Sequence, residues 1–530
     1  MPKIYPRLLF LLLMALLLFT YGCKQKPEIA EKFYKHYQNK VYNDFDTAAY
    51  YAEFKNQLSL LKPDGHYSAP IVIYYKSKNF EPHFVSRFLF NGQLYTLIKY
   101  LNNAKEHGLN PDLFNAAKIE QDLDTIKANH FKTINQVYPV LARLEIETAS
   151  SLLTYASIIQ YGAVNPRNLY RRYNIVIKRP DTTMFNKAYD ATDLKNYLEQ
   201  IQPKNEAYLA LKKELASINT DAVDSLKLRR INTIKINMER LRWQTPAKDA
   251  RYLWVNIPAF NLQWVEDKKV VFNMKVCVGQ PKPAGYDTLL LRWLKTKNLD
   301  DKPQNHETTI LSSRINTIQL NPTWSIPTSI AQNEIYYAIL KDPNYLTNNN
   351  IRVYYHERLV TNPDTIAWNR IQRKNIPYTF RQDASELNQL GKFKFIFDNE
   401  SSIYLHDTPH KQAFLSNWRA VSHGCVRVDD PLKLTEALVN DTNEVDNIRM
   451  EVGLKPVNPK DTTRYKAIQA RRSAAGFELK SKYISLKPDM QLFIDYYTCL
   501  PDENGKLIYY YDVYRMDDKL LAAMGKYLSK

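Results

Sequence analysis

The sequence predicts an α+β protein in which a mainly helical first half is followed by a strand-rich second half. Up to about residue 245, apolar residues recur at spacings of three and four, which is the period of a helix with one buried face. From residue 252 onward they alternate, which is the period of a strand with one buried face. The length of 530 residues is sufficient for about two to four domains with cores of their own.

These changes of period, together with turn-rich stretches, divide the chain into four parts. They are a signal segment at 1–23, a mainly helical domain at 24–245, a β-rich domain at 246–455 and a C-terminal extension at 456–530, in which residues 502–505 are predicted to turn a hairpin.

The first residues predict export. A positively charged start precedes an apolar run at residues 8–19, which is short for a membrane span. Gly22 followed by Cys23 is similar to a bacterial lipoprotein processing site, where the cysteine becomes the lipidated first residue. Plain secretion and an uncleaved anchor are the alternatives. We therefore expect a periplasmic protein tethered through Cys23 to the inner or the outer membrane.

The net charge of +18 favours an anionic partner or surface, such as phospholipid or a carboxylate-bearing polymer. An evenly basic, solvated surface explains the same charge more simply. No nucleic-acid-binding motif accompanies it, and we predict no nucleic-acid partner.

The helical part is predicted from two long stripes of apolar residues, at 141–159 and 231–241. Both stripes indicate core packing rather than a cofactor site. An exception is the apolar run at residues 70–75, which we interpret as a short strand.

The β-rich part begins with three alternating segments, at 252–257, 260–265 and 270–278, which predict a meander of hairpins. The segment 285–307 breaks the pattern and is interpreted as an inserted loop. After a strand at 315–320, the polar, Asn- and Tyr-rich segment 328–376 shows no obvious core. A connection of this length is more often functional than not, so we predict a lid over the site.

Two further strands are predicted to carry the chemistry. In the strand that ends at His406, the alternation places Tyr404 and His406 on one face. The strand at 425–428 follows, and Asp430 with Pro431 indicates the start of a helix.

Cys425 is the predicted nucleophile. His423 stands two residues before it and His406 nineteen residues before it. A thiol attacks carbonyl groups as thiolate, so it needs an imidazole to take its proton. The resulting thiolate–imidazolium pair would carry out the attack without a metal. Gly424 lets the backbone approach a substrate, and the backbone N–H groups here could stabilise an oxyanion. A buried structural cysteine beside incidental histidines is the alternative.

Two other readings of the sequence were considered. A zinc hydrolase would use His406, His410, His423 and Cys425, but Pro409 prevents the regular helix on which such histidine pairs usually lie. A pairing of Cys277 with Cys499 is feasible in an oxidising compartment, and the sequence leaves it open.

The pattern of His406, eighteen residues and Cys425 within Ser-His-Gly-Cys-Val-Arg-Val resembles the active-site signature of the L,D-transpeptidase (YkuD) catalytic domain. The segments 231–243, 320–327 and 390–395 resemble the long YcbB- or LdtD-like branch of that family. The resemblance implies a helical scaffold domain joined to a β-rich catalytic domain that acts on peptidoglycan.

When the family's motif is matched to this sequence residue by residue, the resemblance implies that Cys425 is the nucleophile and His406 the general base. It also implies that His423 is among the catalytic residues. The pocket and the oxyanion site would be formed by Ser422, Gly424 and Arg427, and Tyr404 would contact substrate. Arg427 stands where many members have Asn, and a plain structural pair is its alternative role.

The implied reaction is the formation of 3→3 cross-links with loss of the terminal D-Ala from tetrapeptide stems. Carboxypeptidase activity or exchange of a D-amino acid at the same site is the alternative, as is a non-catalytic wall-binding tether. The implied partners are donor and acceptor stem peptides, the membrane through the lipid, and carbapenem inhibitors that acylate Cys425. No cofactor or metal is implied. Long members commonly carry a peptidoglycan-binding module for which residues 203–231 leave no room.

Overall fold

The computed structural model describes residues 27–61, 68–219 and 224–529. The predicted signal segment and its lipidation residue, Cys23, lie outside the described residues. The predicted fold class is confirmed, because a helical N-terminal region is followed by a β-rich catalytic region. Within the part of the chain that the structure describes, none of the helices combines the length and apolar character that a membrane crossing requires.

Twelve helices of the described residues precede the first strand. They are α1 (Glu28–Tyr37), α2 (Thr47–Ser59), α3 (Ser68–Ser77), α4 (Phe84–Phe88), α5 (Gln93–Asn102), α6 (Ala116–Ala128), α7 (Val137–Tyr161), α8 (Pro166–Leu169), α9 (Thr182–Tyr189), α10 (Leu194–Gln200), α11 (Glu206–Ser217) and α12 (Ser225–Arg242).

Helix α7 is the centre of the helical region, and it is buried along most of its length. Its carboxylate Glu145 is fully buried and accepts hydrogen bonds from the Tyr75 hydroxyl at 2.5 Å and from the backbone N–H groups of His83, Phe84 and Val85 at 2.7 to 2.9 Å. A buried carboxylate is tolerated when its lone pairs are satisfied in this way. The charge therefore fixes α3 and α4 against α7.

The strand predicted at residues 70–75 is wrong, because these residues lie in α3. Ile71 and Tyr75 are both fully buried and lie four residues apart, on one face of the helix. A short apolar run has no periodicity that distinguishes a buried strand from a buried helix.

The strands and the remaining helices follow. The strands are β1 (Arg251–Asn256), β2 (Asn261–Glu266), β3 (Lys269–Gly279), β4 (Leu311–Leu320), β5 (Trp324–Ile326), β6 (Ile351–Tyr355), β7 (Arg358–Leu359), β8 (Tyr378–Gln382), β9 (Phe393–Phe397), β10 (Leu405–His406), β11 (Ala420–Ser422), β12 (Val426–Val428), β13 (Lys482–Asp495), β14 (Cys499–Pro501) and β15 (Leu507–Tyr509). The helices are α13 (Tyr286–Thr296), α14 (Thr328–Ile330), α15 (Tyr336–Lys341), α16 (Tyr345–Asn348), α17 (Pro431–Val439), α18 (Thr442–Glu451), α19 (Thr462–Arg472) and α20 (Met516–Met524).

The main sheet has the order β11-β3-β12-β10-β9-β4-β13-β1-β2, and β2 also pairs with β3. Because of this second pairing the sheet closes on itself around an apolar core. Closure leaves few strand edges unpaired. It also brings β10 and β12, which carry the signature residues, side by side.

The predicted extension 456–530 requires correction. Its strand β13 is inserted in the main sheet, antiparallel to β4 and parallel to β1. Leu492, Phe493 and Ile494 of this strand are fully buried. The C-terminal segment is therefore part of the body that holds the site, whereas β14 and β15 form the small hairpin that the sequence predicts near residues 502–505.

The two predicted interruptions of the sheet are also more ordered than expected. The insertion 285–307 contains the helix α13 rather than only loop. The segment predicted as a lid folds with β5 and β8 into a four-stranded sheet of order β5-β8-β6-β7. It has its own apolar core, which includes Ile335, Val353 and Phe380, so the prediction of a segment without a core is wrong. We call residues 324–382 the lid subdomain.

Candidate active site

Strands β10 and β12 pair in parallel, with Leu405 opposite Val426 and His406 opposite Arg427. Side chains alternate along a strand, so Tyr404, His406, Cys425 and Arg427 share one side of this pair. The predicted sharing of a face by Tyr404 and His406 is seen directly, since their rings lie 5.6 Å apart. The signature residues therefore meet at one place on the sheet.

Tyr404 is the direct neighbour of the nucleophile. Its hydroxyl hydrogen-bonds the Cys425 side chain, and Trp324 of β5 donates to the same hydroxyl. The Lys394 ammonium lies 4.0 Å from the centroid of the Tyr404 ring. Trp324 and Lys394 lie in the segments 320–327 and 390–395, which resemble the long branch of the family, but the sequence assigned neither residue a role in the site.

Burial raises the pKa of the Cys425 thiol, and this effect outweighs the hydrogen bonds from the backbone N–H and the hydroxyl of Tyr404 and the positive charges of Lys394 and Arg427, which lower it. The cysteine is therefore a neutral thiol at rest near neutral pH. Tyr404, Lys394 and Arg427 are placed to stabilise the thiolate once the proton leaves.

His406 is a buried, neutral imidazole. Burial, assisted by the positive charge of Arg427, lowers its pKa to about 3. Its Nδ1 hydrogen-bonds the Asp407 carbonyl oxygen, so Nδ1 carries the proton and Nε2 has the free lone pair. No hydrogen bond among the described residues joins His406 to Cys425. Burial favours the neutral form of both groups at rest, so a thiolate–imidazolium pair would form only when the proton moves from Cys425 to His406.

We call residues Ser422–Cys425 the nucleophile loop. Hydrogen bonds that its carbonyl groups accept hold it in place. The Ser422 carbonyl accepts from the Gln280 N–H at 2.9 Å, the Gly424 carbonyl from the Thr308 hydroxyl at 2.8 Å, and the Cys425 carbonyl from the Ser422 hydroxyl at 2.5 Å. A ring nitrogen of His306 donates to the His423 carbonyl.

The amides of the loop differ. Gly424 N–H donates to the Ser422 hydroxyl at 3.2 Å, whereas no hydrogen bond of the described residues engages the Cys425 N–H. Gly424 has φ of +123°, a conformation that side-chain-bearing residues rarely adopt. The Cys425 N–H is consequently the better candidate of the two for an oxyanion donor.

His423 points away from the thiol toward the lid subdomain. Its Nε2 lies 2.6 Å from the Glu334 carboxylate, and its ring packs edge-on against His306 at 4.4 Å between centroids. His306 and Thr308 were missed by the sequence reasoning, which assigned the stretch up to residue 307 to an inserted loop. An isolated histidine more than 100 residues before the signature carries no spacing signal.

Comparisons with known proteins agree with this geometry. Residues 250–453 match the family model of the L,D-transpeptidase catalytic domain, YkuD, and residues 69–215 match a model described as a scaffold domain. Residues 250–453 are an L,D-transpeptidase catalytic domain. The two matched domains also agree with the long YcbB- or LdtD-like architecture.

The Haemophilus influenzae protein named "Putative L,D-transpeptidase" is a curated relative of this chain. The two are 24% identical over 333 residues, which is 63% of this chain and 57% of the relative. The chain thus spans a little over half of that relative's length.

Arg427 lies between several groups of the transpeptidase site. It is opposite His406 on β10 and opposite Cys277 on β3. Its Nε is buried and has no hydrogen-bond partner among the described residues, and the nearby carboxylate of Glu334 acts on its pKa only through charge. An unpartnered guanidinium N–H in a site is suited to a carboxylate of a ligand.

In the structure, the three histidines of the zinc alternative contact separate partners. His406 bonds the Asp407 carbonyl, His410 lies 3.2 Å from the Gln389 side-chain oxygen, and His423 contacts Glu334. The described residues therefore include no group of three or more such side chains arranged to hold a metal. Cys277 and Cys499 are free, buried thiols, and the pairing that the sequence left open is not formed.

Proposed function

We propose that the protein is a peptidoglycan L,D-transpeptidase that forms 3→3 cross-links by acyl transfer through Cys425. The observation that carries the proposal is a half-buried cysteine on a loop whose carbonyl groups are all engaged, beside Tyr404 and His406, within an L,D-transpeptidase catalytic domain. The donor is a tetrapeptide stem, and the bond cleaved is the one before its terminal D-Ala.

In the first half of the reaction, the Cys425 sulfur attacks the carbonyl carbon of the third stem residue. The thiol proton passes to Nε2 of His406, because this is the imidazole nitrogen with a free lone pair. The oxyanion forms near the Cys425 N–H. The tetrahedral intermediate collapses, D-Ala leaves with the proton from His406, and a thioester remains on Cys425.

In the second half, an amine of a second stem attacks the thioester carbonyl and gives up its proton to His406. The C–S bond breaks, and the thiolate takes that proton, so the neutral pair is restored. Both charges are transient, which fits the directions of the two pKa shifts: each group is more stable in its neutral form. Arg427 would bind a stem carboxylate through its free N–H.

Muropeptide analysis tests the reaction. Purified protein incubated with tetrapeptide muropeptides is expected to release D-Ala and to form 3→3 dimers, and Cys425→Ala is expected to do neither. Tripeptides without dimers would establish the carboxypeptidase alternative, and exchange of added D-amino acids would establish the third. If a carbapenem forms no covalent adduct of the folded protein at Cys425, as read by mass spectrometry, acyl transfer at this residue is refuted.

The proposed location is the periplasmic face of a membrane, through a lipid on Cys23. The supporting feature is the apolar leader that ends at Gly22-Cys23. Cys23→Ala is expected to move the protein from the membrane to the soluble periplasmic fraction, and full retention on membranes would contradict the lipid anchor.

A further inference from the structure

The lid subdomain reaches the nucleophile loop through a short π-helical segment, Ala331–Ile335. π-helical turns are rare and occur frequently at functional sites. Three consecutive residues of this segment make polar contacts through their side chains. Gln332 donates to the Lys374 carbonyl at 3.0 Å, Asn333 accepts from Arg373 at 2.8 Å, and Glu334 contacts His423 at 2.6 Å. The first two contacts stay within the lid, and only the third leads to the nucleophile loop.

A second polar contact ties the lid subdomain to the insertion that carries α13. Arg373 donates to the Asp300 carboxylate at 2.6 Å, and Lys374 donates to the Asn298 side chain at 2.9 Å and also pairs with Asp300. Since the lid has its own apolar core, it can move as a body while these polar contacts break and re-form.

His423 connects the Glu334 contact to the backbone of the nucleophile loop. Its ring packs against His306, and His306 in turn donates to the His423 carbonyl. Thr308, two residues further along the same segment, donates to the next carbonyl, that of Gly424. A continuous chain of contacts therefore runs from Glu334 to the peptide groups that precede the Cys425 N–H.

The groups around the Glu334–His423 pair favour a carboxylate at position 334. The hydrogen bond from His423 is the main cause that lowers the pKa of Glu334, and the charges of His306 and Arg427 act in the same direction. Arg172 faces His306 from the other side. Glu334 and His423 are about half and one-third exposed, respectively. Exposed pairs of this kind contribute little to folding stability, so their role is better sought in the site.

We propose that Glu334 is a positioning residue, which acts through His423 to hold the nucleophile loop in its reactive geometry when the lid subdomain is closed. The inference rests on the proposed acyl transfer at Cys425. Lid closure and ordering of the Cys425 N–H are then one event, and a site with the lid raised has a less organised nucleophile loop. The contact at Asp300 holds the lid but does not reach His423.

The experiment measures acylation of Cys425 by a carbapenem, as a saturating rate constant and an apparent affinity. Glu334→Ala is expected to lower the saturating rate about ten-fold, and Glu334→Gln, which keeps an acceptor oxygen, to recover part of it. Asp300→Ala loosens the lid without touching His423, and it is expected to weaken the apparent affinity while leaving the saturating rate unchanged. Thermal unfolding of each variant checks that the fold is retained.

A double-mutant cycle tests whether Glu334 acts through His423. In a His423→Ala background, Glu334→Ala is expected to have no further effect on the saturating rate. Additive losses, an unchanged rate in Glu334→Ala, or equal losses in Glu334→Ala and Asp300→Ala would overturn the proposal. Acylation of the wild-type protein tests the proposed function separately, so failure of one is distinguishable from failure of the other.

Discussion

At the scale of single residues, the site is built from neutral groups that become charged only during the reaction. Burial raises the pKa of Cys425 and lowers that of His406 to about 3. Catalytic cysteines that rest as thiolates lie in electropositive and partly exposed surroundings. Here the positive groups are present, but burial has the larger effect. The thiol is therefore not a permanent thiolate, and the proposed acyl transfer requires proton transfer when substrate binds.

The role of Tyr404 can be measured from the titration of the thiol. Tyr404→Phe removes the hydroxyl that stabilises the thiolate, so the pKa of Cys425 is expected to rise by about one to two pH units, the value of a hydrogen bond to a charged group. The pH dependence of iodoacetamide labelling, followed by peptide mass spectrometry, measures the shift. Cys277 and Cys499 are fully buried and serve as slow internal references. Tyr511→Phe alters an exposed tyrosine and is the control; an unchanged labelling midpoint in Tyr404→Phe would argue against the hydrogen bond.

At the scale of elements, the nucleophile loop owes its shape to residues 306–309, a segment without regular secondary structure that leads into β4. The Thr308 hydroxyl accepts from the Gly279 N–H and donates to the Gly424 carbonyl, both at 2.8 Å. The Tyr514 hydroxyl, just before α20, accepts from the Thr308 N–H at 3.0 Å. Residues from β3, the segment before β4 and the C-terminal part of the chain thus meet behind Cys425.

Thr308→Val tests this support. The substitution keeps the shape but leaves the buried Gly424 carbonyl and Gly279 N–H without partners, at a cost of about 1–3 kcal/mol in the free energy of unfolding. Carbapenem acylation of Cys425 is expected to slow about ten-fold, which is less than the ~100-fold typical of removing an oxyanion donor itself.

Thr309→Val is the matched control for that measurement. Thr309 is equally buried, and its hydroxyl bonds Ser401 at 2.9 Å rather than the nucleophile loop. It should lose comparable stability by chemical denaturation and acylate at the wild-type rate. If acylation slows equally in Thr308→Val and Thr309→Val, the segment 306–309 as a whole, and not the contact with the Gly424 carbonyl, governs the reactivity of Cys425.

At the scale of the whole molecule, sequence patterns predicted elements well where the pattern is local. The alternation in 252–278 and the strand predicted at 315–320 correspond to strands of the main sheet, and Asp430 caps α17 as its Asp-Pro pair indicates. The signature and the strand alternation predicted that Tyr404, His406 and Cys425 lie together, and the pairing of β10 with β12 places them on one side of the two strands. These features depend on side-chain period and capping, which neighbouring residues determine.

Other features depend on contacts distant in the chain and could not be predicted. The placement of β13 in the sheet rests on pairing with β1 and β4, more than 150 residues away. The approach of His306 to the nucleophile loop follows from that sheet, and the contact of Glu334 with His423 from the fold of the lid. The neutral resting forms of Cys425 and His406 could not be predicted from the sequence, because burial, which favours them, is a property of the completed fold.

Helix α12 is joined to the helical region before it by buried charged groups and a buried histidine. Arg242 is fully buried, pairs with Glu239 at 3.1 Å and also bonds the His107 carbonyl. The His107 ring bonds the Tyr208 hydroxyl at 2.9 Å. Burial, together with the charges of Arg242 and Lys212, lowers the pKa of His107 from 6.5 to about 2. The joint therefore tolerates the neutral imidazole only.

This joint predicts how stability depends on pH. Below pH 6.5 the unfolded chain binds a proton at His107 that the folded chain does not bind until about pH 2, so stability is lost as the pH falls. Between pH 6.5 and 4.5 the loss from this histidine is about 2 kcal/mol. In His107→Gln the chain is expected to be less stable at pH 7, because the Tyr208 contact changes, but to lose less stability on acidification. Denaturant unfolding at several pH values measures the difference in slope. His130→Gln alters an exposed histidine of the same region and should follow the wild-type slope, whereas parallel slopes in His107→Gln and wild type would show that His107 is protonated in the folded joint.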